Sequence, residues 1–153
     1  MPANQTPALA IHVQGLQKSF KALEVLRGVD LDVARGSIFA LLGSNGAGKT
    51  TLMHAISGVQ PITGGTIGFE NRPIEQLPAH ARVAAGISQV PECRQVFEPL
   101  SVKDNLRLGA WSRRSADLKQ DLVRVVQLFP MLEALWEKPA STVRAASRPV
   151  RSQ

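Results

Sequence analysis

With 153 residues, 44% of them hydrophobic and 20% charged, the chain has the size and composition to build the core of one ordinary domain. No run approaches the about eighteen consecutive apolar residues of a membrane span, no Lys or Arg precedes Lys18, the single Cys93 can form no internal disulfide, and no Cys/His spacing offers a zinc site, all of which points to a cytoplasmic chain. The net charge is +6, but Lys138, Arg144, Arg148 and Arg151 follow Glu137 with no acid among them, so +4 of it sits in a short Ala-, Ser- and Pro-containing tail; the nearly neutral body argues against a nucleic-acid partner.

Leu9, Ile11 and Val13 alternate with small or polar residues, as do Val29, Leu31 and Val33 around Asp30 and Asp32, which predicts two half-buried strands paired antiparallel. Arg35-Gly36 is a turn. Ile38-Phe39-Ala40-Leu41-Leu42 is apolar without alternation, the pattern of a strand covered on both faces in a parallel sheet, and it runs straight into Gly43. Residues from Lys49 to Ser57 suit a helix, and Gly58 can turn left-handed to end it. Pro61 to Gly65 reads as a turn, Thr66 to Phe69 as a short strand, Pro78 to Ala85 as a short helix stopped by Gly86, and Ile87 to Val90 as a further strand. Ser101-Val102-Lys103-Asp104 has the form of a capping box that opens a helix reaching Leu108. Ser115 opens a second helix, in which Leu118, Leu122, Val125, Val126 and Phe129 make one apolar face for core packing.

The segment Gly43-Ser44-Asn45-Gly46-Ala47-Gly48-Lys49-Thr50 fits the pattern G-x-x-x-x-G-K-[ST] between a predicted strand and a predicted helix. Glycines let consecutive backbone N–H groups curl toward one point, and the helix that follows turns its positive end to the same place. Lys49 adds a point charge for the β- and γ-phosphates, and the Thr50 hydroxyl is a ligand for Mg²⁺. Such a loop serves kinases, GTPases, helicases and transporter motors alike. His12, His54 and His80 match no ligand spacing and read as surface or packed side chains.

The residues around the loop narrow the choice. Ser44 to Leu52, with Thr51 as a second threonine after Lys49, resembles the Walker A loop of ABC-type ATPases. The resemblance extends through Leu26-Arg27-Gly28-Val29, Ala55-Ile56-Ser57-Gly58, Val90-Pro91-Glu92 with Arg94, Val96-Phe97, Ser101-Val102 and Asn105-Leu106-Arg107-Leu108-Gly109, over about residues 9 to 140. Within that family the chain looks most like the ATP-binding subunit of branched-chain amino acid importers whose Q-loop reads Val-Pro-Glu.

The resemblance implies an α/β fold of the P-loop NTPase class, an ABC-type nucleotide-binding domain. It implies ATP with Mg²⁺ as the ligand, held by Gly43, Ser44, Asn45, Gly46, Ala47, Gly48, Lys49, Thr50 and Thr51. Phe20 falls where the family stacks an aromatic ring on adenine, a core role for the same ring being the alternative. Glu92 stands at the Q-loop position, near the γ-phosphate and the Mg²⁺ that Thr50 also ligates, and Cys93 replaces the usual Gly after Pro-Glu. The implied partners are membrane permease subunits and a second ATP-binding subunit, with the protein peripheral on the inner face of the membrane.

Residues 1–99 are expected to form an incomplete nucleotide-binding core that includes the antiparallel strands, and residues 100–140 the start of a helical subdomain. Residues 141–153 are expected to be a disordered tail. The 153 residues contain no Leu-Ser-Gly-Gly signature, no Walker B strand ending in Asp-Glu and no switch histidine, so the alternative to an energy-coupling ATPase is a nucleotide-binding fragment without turnover. Resemblance stops near Thr142, and the Arg-, Ala-, Ser- and Pro-rich remainder is what a GC-rich gene yields out of frame, so another frame of the downstream DNA is expected to encode the signature and Walker B segments.

Overall fold

The computed structural model describes residues 8–92, 95–111 and 115–146. They form two units divided between Gln89 and Val90, earlier in the chain than the expected boundary after residue 99.

The first unit is built on a long hairpin. Strands β1 (Leu9–Phe20) and β2 (Leu23–Ala34) pair antiparallel, with Ile11 opposite Val33 and Val13 opposite Leu31 as the alternation requires. Only the two residues Lys21 and Ala22 join them, and Lys21 takes a left-handed φ of 53° to close so tight a turn. Each strand is 12 residues long, well beyond the alternating stretches, because register shifts between Val13 and Leu16, Leu16 and Gln17, and Lys18 and Ser19 carry the pairing past breaks in the period of two.

Strand β3 (Gly64–Phe69) pairs on the other side of β1, placing Ile67 opposite Val13, and β4 (Arg72–Pro73) follows it, so the antiparallel sheet has the order β2-β1-β3-β4. Helix α1 (Lys49–Ser57) contributes Leu52, Ala55 and Ile56 to a buried cluster with Val13, Leu16, Leu26, Ile67 and Ile74. Each large aliphatic side chain in that cluster contributes about 1.5–3 kcal/mol on leaving water.

Two expected strands do not form. Ile38–Leu42 has no ladder, and Ile38 and Leu42 are fully or largely exposed, at 102% and 89%. A parallel strand takes its hydrogen bonds from neighbours on both sides, and no described strand runs beside this segment, so apolar sequence alone cannot make it one. Ile87 to Val90 likewise pairs with nothing among the described residues.

In the second unit, helix α3 (Val102–Gly109) begins at the capping box: Ser101 Oγ accepts from the Asp104 amide at 3.0 Å and donates to Asp104 Oδ2 at 2.7 Å. Asn105 clasps the preceding segment, accepting from the Phe97 amide at 2.9 Å and donating to the Phe97 and Ser101 carbonyls at 3.0 Å each. Helix α4 (Ser115–Leu128) stops one residue short of Phe129, which is exposed, and a 3₁₀ turn (Pro130–Leu135) follows. The chain then returns to α3, where the Val102 amide donates to Lys138 O and the Ala140 amide to Leu100 O, with Val102 and Ala140 buried.

The disordered tail expected from residue 141 is corrected in its first part, because Ser141–Ala146 forms a short helix, α5. Thr142 Oγ1 donates to Pro139 O at 2.6 Å and its amide to the same carbonyl at 3.0 Å, which starts the turn. The rest of the expected tail, residues 147–153, lies outside the described residues.

One buried charge organises the first unit. Helix α2 (Ala79–Ala85) carries Arg82, only 3% exposed, which donates from Nη1 to Ala55 O at 2.6 Å and Ile56 O at 2.9 Å, from Nε to Leu77 O at 2.9 Å and from Nη2 to Glu75 O at 3.0 Å. Burial pulls the guanidinium's pKa below its usual value, and the Glu75 carboxylate partly offsets this. Two of the four acceptors are the last-turn carbonyls of α1, where a cation also meets the negative end of the helix. Arg82→Met keeps much of the volume and strands these carbonyls, so it is expected to lower stability by about 3 kcal/mol in urea unfolding. A loss under about 1 kcal/mol would mean that water solvates the acceptors in its place.

Candidate functional site

The loop between Gly43 and Lys49 is shaped by backbone that only glycine adopts without strain. Gly46 and Gly48 are left-handed at φ 83° and 86°, and the Ala47 amide closes a turn onto Ser44 O at 3.2 Å. Gly48 is the N-cap of α1, and the first intrahelical bond runs from the Leu52 amide to Gly48 O at 2.8 Å. The amides of Lys49, Thr50 and Thr51 therefore precede the helical ladder and point out of its positive end, with no acidic residue in the first turn to neutralise them.

Gly48 also sets how closely the loop approaches the sheet. A Cβ there would lie 2.9 Å from Leu26 Cδ2 and 3.3 Å from Val25 O, so the loop backbone rests directly on β2. The Lys49 ammonium turns back over the loop, donating to Gly43 O at 2.8 Å and Ser44 O at 2.7 Å. That places a positive charge among outward-facing amides, an arrangement suited to a phosphate chain.

Of the other predicted loop residues, Ser44, Asn45, Ala47 and Thr50 are exposed and Thr51 is half-buried at the helix start. The Thr50 hydroxyl is a hard oxygen donor one residue beyond the lysine. Among the described residues no group of three or more His, Cys, Asp or Glu side chains could cage a metal. Mg²⁺ fits such a donor set, because it keeps waters and phosphate oxygens and needs only one or two oxygens from protein.

Phe20 closes the β1–β2 hairpin opposite Leu23, with its side chain partly exposed, at 41%. Lys18, whose pair partner Leu26 is the residue beneath Gly48, holds its ammonium 4.9 Å from the Phe20 ring centroid. The hairpin thus brings the aromatic ring and the loop onto one strand pair. Glu92 belongs to the second unit, where it is exposed in a turn. Its neighbours Cys93 and Arg94, which the sequence marks as the departure from Gly and as part of the same segment, lie outside the described residues. His12 is engaged with Asp32 across the hairpin, His54 is half-buried in α1, and His80 is exposed.

Sequence reasoning missed Arg82 and Lys18. Arg82 reads as an exposed helical charge because its four carbonyl partners are scattered from Ala55 to Leu77. For Lys18 a signal existed, since residues two apart on a strand share a face, and Phe20 is two residues on.

Residues 26–147 match the family model for ABC transporters. The chain is 32% identical over 87% of its length to the probable branched-chain amino acid transport ATP-binding protein LivF of Archaeoglobus fulgidus, covering 56% of that protein. It is 34% identical over 79% of its length to the high-affinity branched-chain amino acid transport ATP-binding protein BraG of Pseudomonas aeruginosa, covering 52% of it. To the lipopolysaccharide export system ATP-binding protein LptB of Escherichia coli it is 42% identical over 61% of its length, covering 39% of that protein. A solved ATP-binding subunit of an ABC transporter superposes with a TM-score of 0.73 at 28% identity, over 85% of this chain and 54% of that one. The chain spans about half the length of the first two curated relatives.

The contact beneath Gly48 yields a direct test. Gly48→Ala adds a methyl group against Leu26 and Val25 O and holds a residue with a side chain at φ 86°, so the Leu26 side chain or the loop must give way. Affinity for inorganic tripolyphosphate, followed by calorimetry, is expected to fall more than about tenfold, with a stability loss of about 1–3 kcal/mol.

Proposed function

Because the chain belongs to the ABC transporter family, we propose that its Gly43–Thr51 loop binds the phosphates of ATP with Mg²⁺, and that the protein is the ATP-binding subunit of an importer for branched-chain amino acids. The observation that carries the nucleotide part is the joint placement of the Lys49 ammonium and the open first-turn amides of α1, held on β2 by Gly48. Backbone N–H groups, a helix's positive end and a lysine charge act together on an anion, each strengthened where the others exclude water. When bound, Mg²⁺ would be held by the Thr50 hydroxyl and would supply positive charge against the terminal phosphates.

The cargo is supported by the names of LivF and BraG and by the Val90-Pro91-Glu92 sequence. LptB is named for lipopolysaccharide export, so the loop itself does not select what is carried. In this reading the protein works in the cytoplasm on the inner face of the membrane, against permease subunits and a second ATP-binding subunit, without nucleic acid. Among the described residues no helix is long and apolar enough to cross a membrane.

Lys49→Ala removes the charge that the loop presents and is expected to weaken ATP binding by more than about tenfold in a fluorescence titration, with the fold retained by circular dichroism. Equal affinities would end the nucleotide reading. Phosphate release by the 153-residue chain alone should not exceed that of Lys49→Ala, because no residue in it matches the water-positioning Glu or the opposing signature loop. The cargo is tested in the organism that carries the gene: deletion is expected to abolish high-affinity leucine uptake and leave ribose uptake intact, and the reverse pattern would reassign the substrate.

A further inference from the structure

We propose that Lys18 is a positioning residue for the base: its ammonium, seated on one face of Phe20, fixes the ring so that the opposite face receives the adenine of a nucleotide whose phosphates lie in the loop. This rests on the nucleotide reading given above.

Lys18 is 7% exposed, an unusual depth for a lysine, and sits near the turn end of the hairpin ladder opposite Leu26. Among the described residues no carboxylate lies within ion-pair distance of it. What it meets instead is the Phe20 ring, 4.9 Å from ammonium to centroid, well inside the range of a cation–π contact. Burying the stem of a lysine to place its charge on an aromatic face, with no acid nearby, makes the ring its partner.

The location gives that contact a use. Phe20 is the last residue of β1, beside a two-residue turn, where a partly exposed ring would otherwise sample several rotamers. It stands two residues along the strand from Lys18, about 7 Å from the pair with Leu26 on which Gly48 rests. A nucleotide reaching from the loop along β1 meets the ring there. Holding one face against the ammonium restrains the ring before the ligand arrives, so less freedom is lost on stacking. The cation also draws the ring's π density toward itself, which favours stacking of an electron-rich purine on the other face.

The test compares ATP with inorganic tripolyphosphate, which has the same phosphates and no base, by calorimetry on the protein, Lys18→Met, Lys18→Arg, Phe20→Ala and the double variant. Lys18→Met keeps the buried stem and is expected to weaken ATP about two- to fivefold while leaving tripolyphosphate unchanged. Lys18→Arg should restore ATP affinity, since a guanidinium also lies well on a ring. Phe20→Ala should weaken ATP about five- to hundredfold, and in that background Lys18→Met should cost nothing further.

A parallel loss of ATP and tripolyphosphate in Lys18→Met would overturn the proposal, placing Lys18 on the phosphates or in the stability of the hairpin. So would a loss that persists undiminished in the Phe20→Ala background. If the unmodified protein binds both ligands equally, the stacking role of Phe20 falls, and this proposal with it. Failure to bind either ligand would instead end the nucleotide reading itself.

Discussion

Gly48 has no side chain, and the first turn of α1 lies close on β2 without a clash for that reason. A methyl group there would overlap Leu26. This contact fixes the height of the loop above the sheet, and the height decides where the Lys49 ammonium and the first-turn amides point. At its other end α1 is held by Arg82, which reaches the Ala55 and Ile56 carbonyls from α2. Between the two, Leu52, Ala55 and Ile56 sink into the hairpin core. The helix is therefore located by a missing side chain at one end, a buried cation at the other and apolar packing along its length. A nest of backbone amides needs this, because it has no side-chain adjustment with which to correct a misplaced helix.

The parts legible in the sequence are those whose physics is local. The glycine-rich loop is eight contiguous residues from Gly43 to Thr50, and its left-handed turns fall at Gly46 and Gly48, where glycine takes them without strain. Helix α2 ends at Gly86 and α1 at Gly58 for the same local reason, and α3 starts at the Ser101 box. The hairpin was only half legible. Register shifts around Leu16 and Lys18 break the alternation that would have announced strands as long as β1 and β2.

What stayed hidden depends on partners distant in the chain. Arg82 looks like a wet-face residue until Ala55, Ile56, Glu75 and Leu77 are folded round it. The opposite error arose at Ile38–Leu42, where a buried parallel strand was expected from composition. Hydrophobic sequence states what a segment would do beside neighbours and cannot supply them, so the described segment is left exposed and unpaired. Helix α5 was missed because its start is set by Thr142 capping onto Pro139 rather than by any periodicity of its own.

The two-residue turn at Lys21-Ala22 bears on when the site can be assembled as well as on its shape. The pairing of β1 with β2 starts from Phe20 and Leu23 beside the turn and can extend outward pair by pair, so the hairpin closes at low entropic cost, and it leaves the ribosome before the loop does. The residues of the surface that receives Gly48 thus leave the ribosome before Gly48 does, whereas Arg82 and its grip on α1 come later in translation. A lengthened turn at this position would slow the closing of the hairpin and so narrow the interval in which the glycine-rich segment emerges onto a finished template.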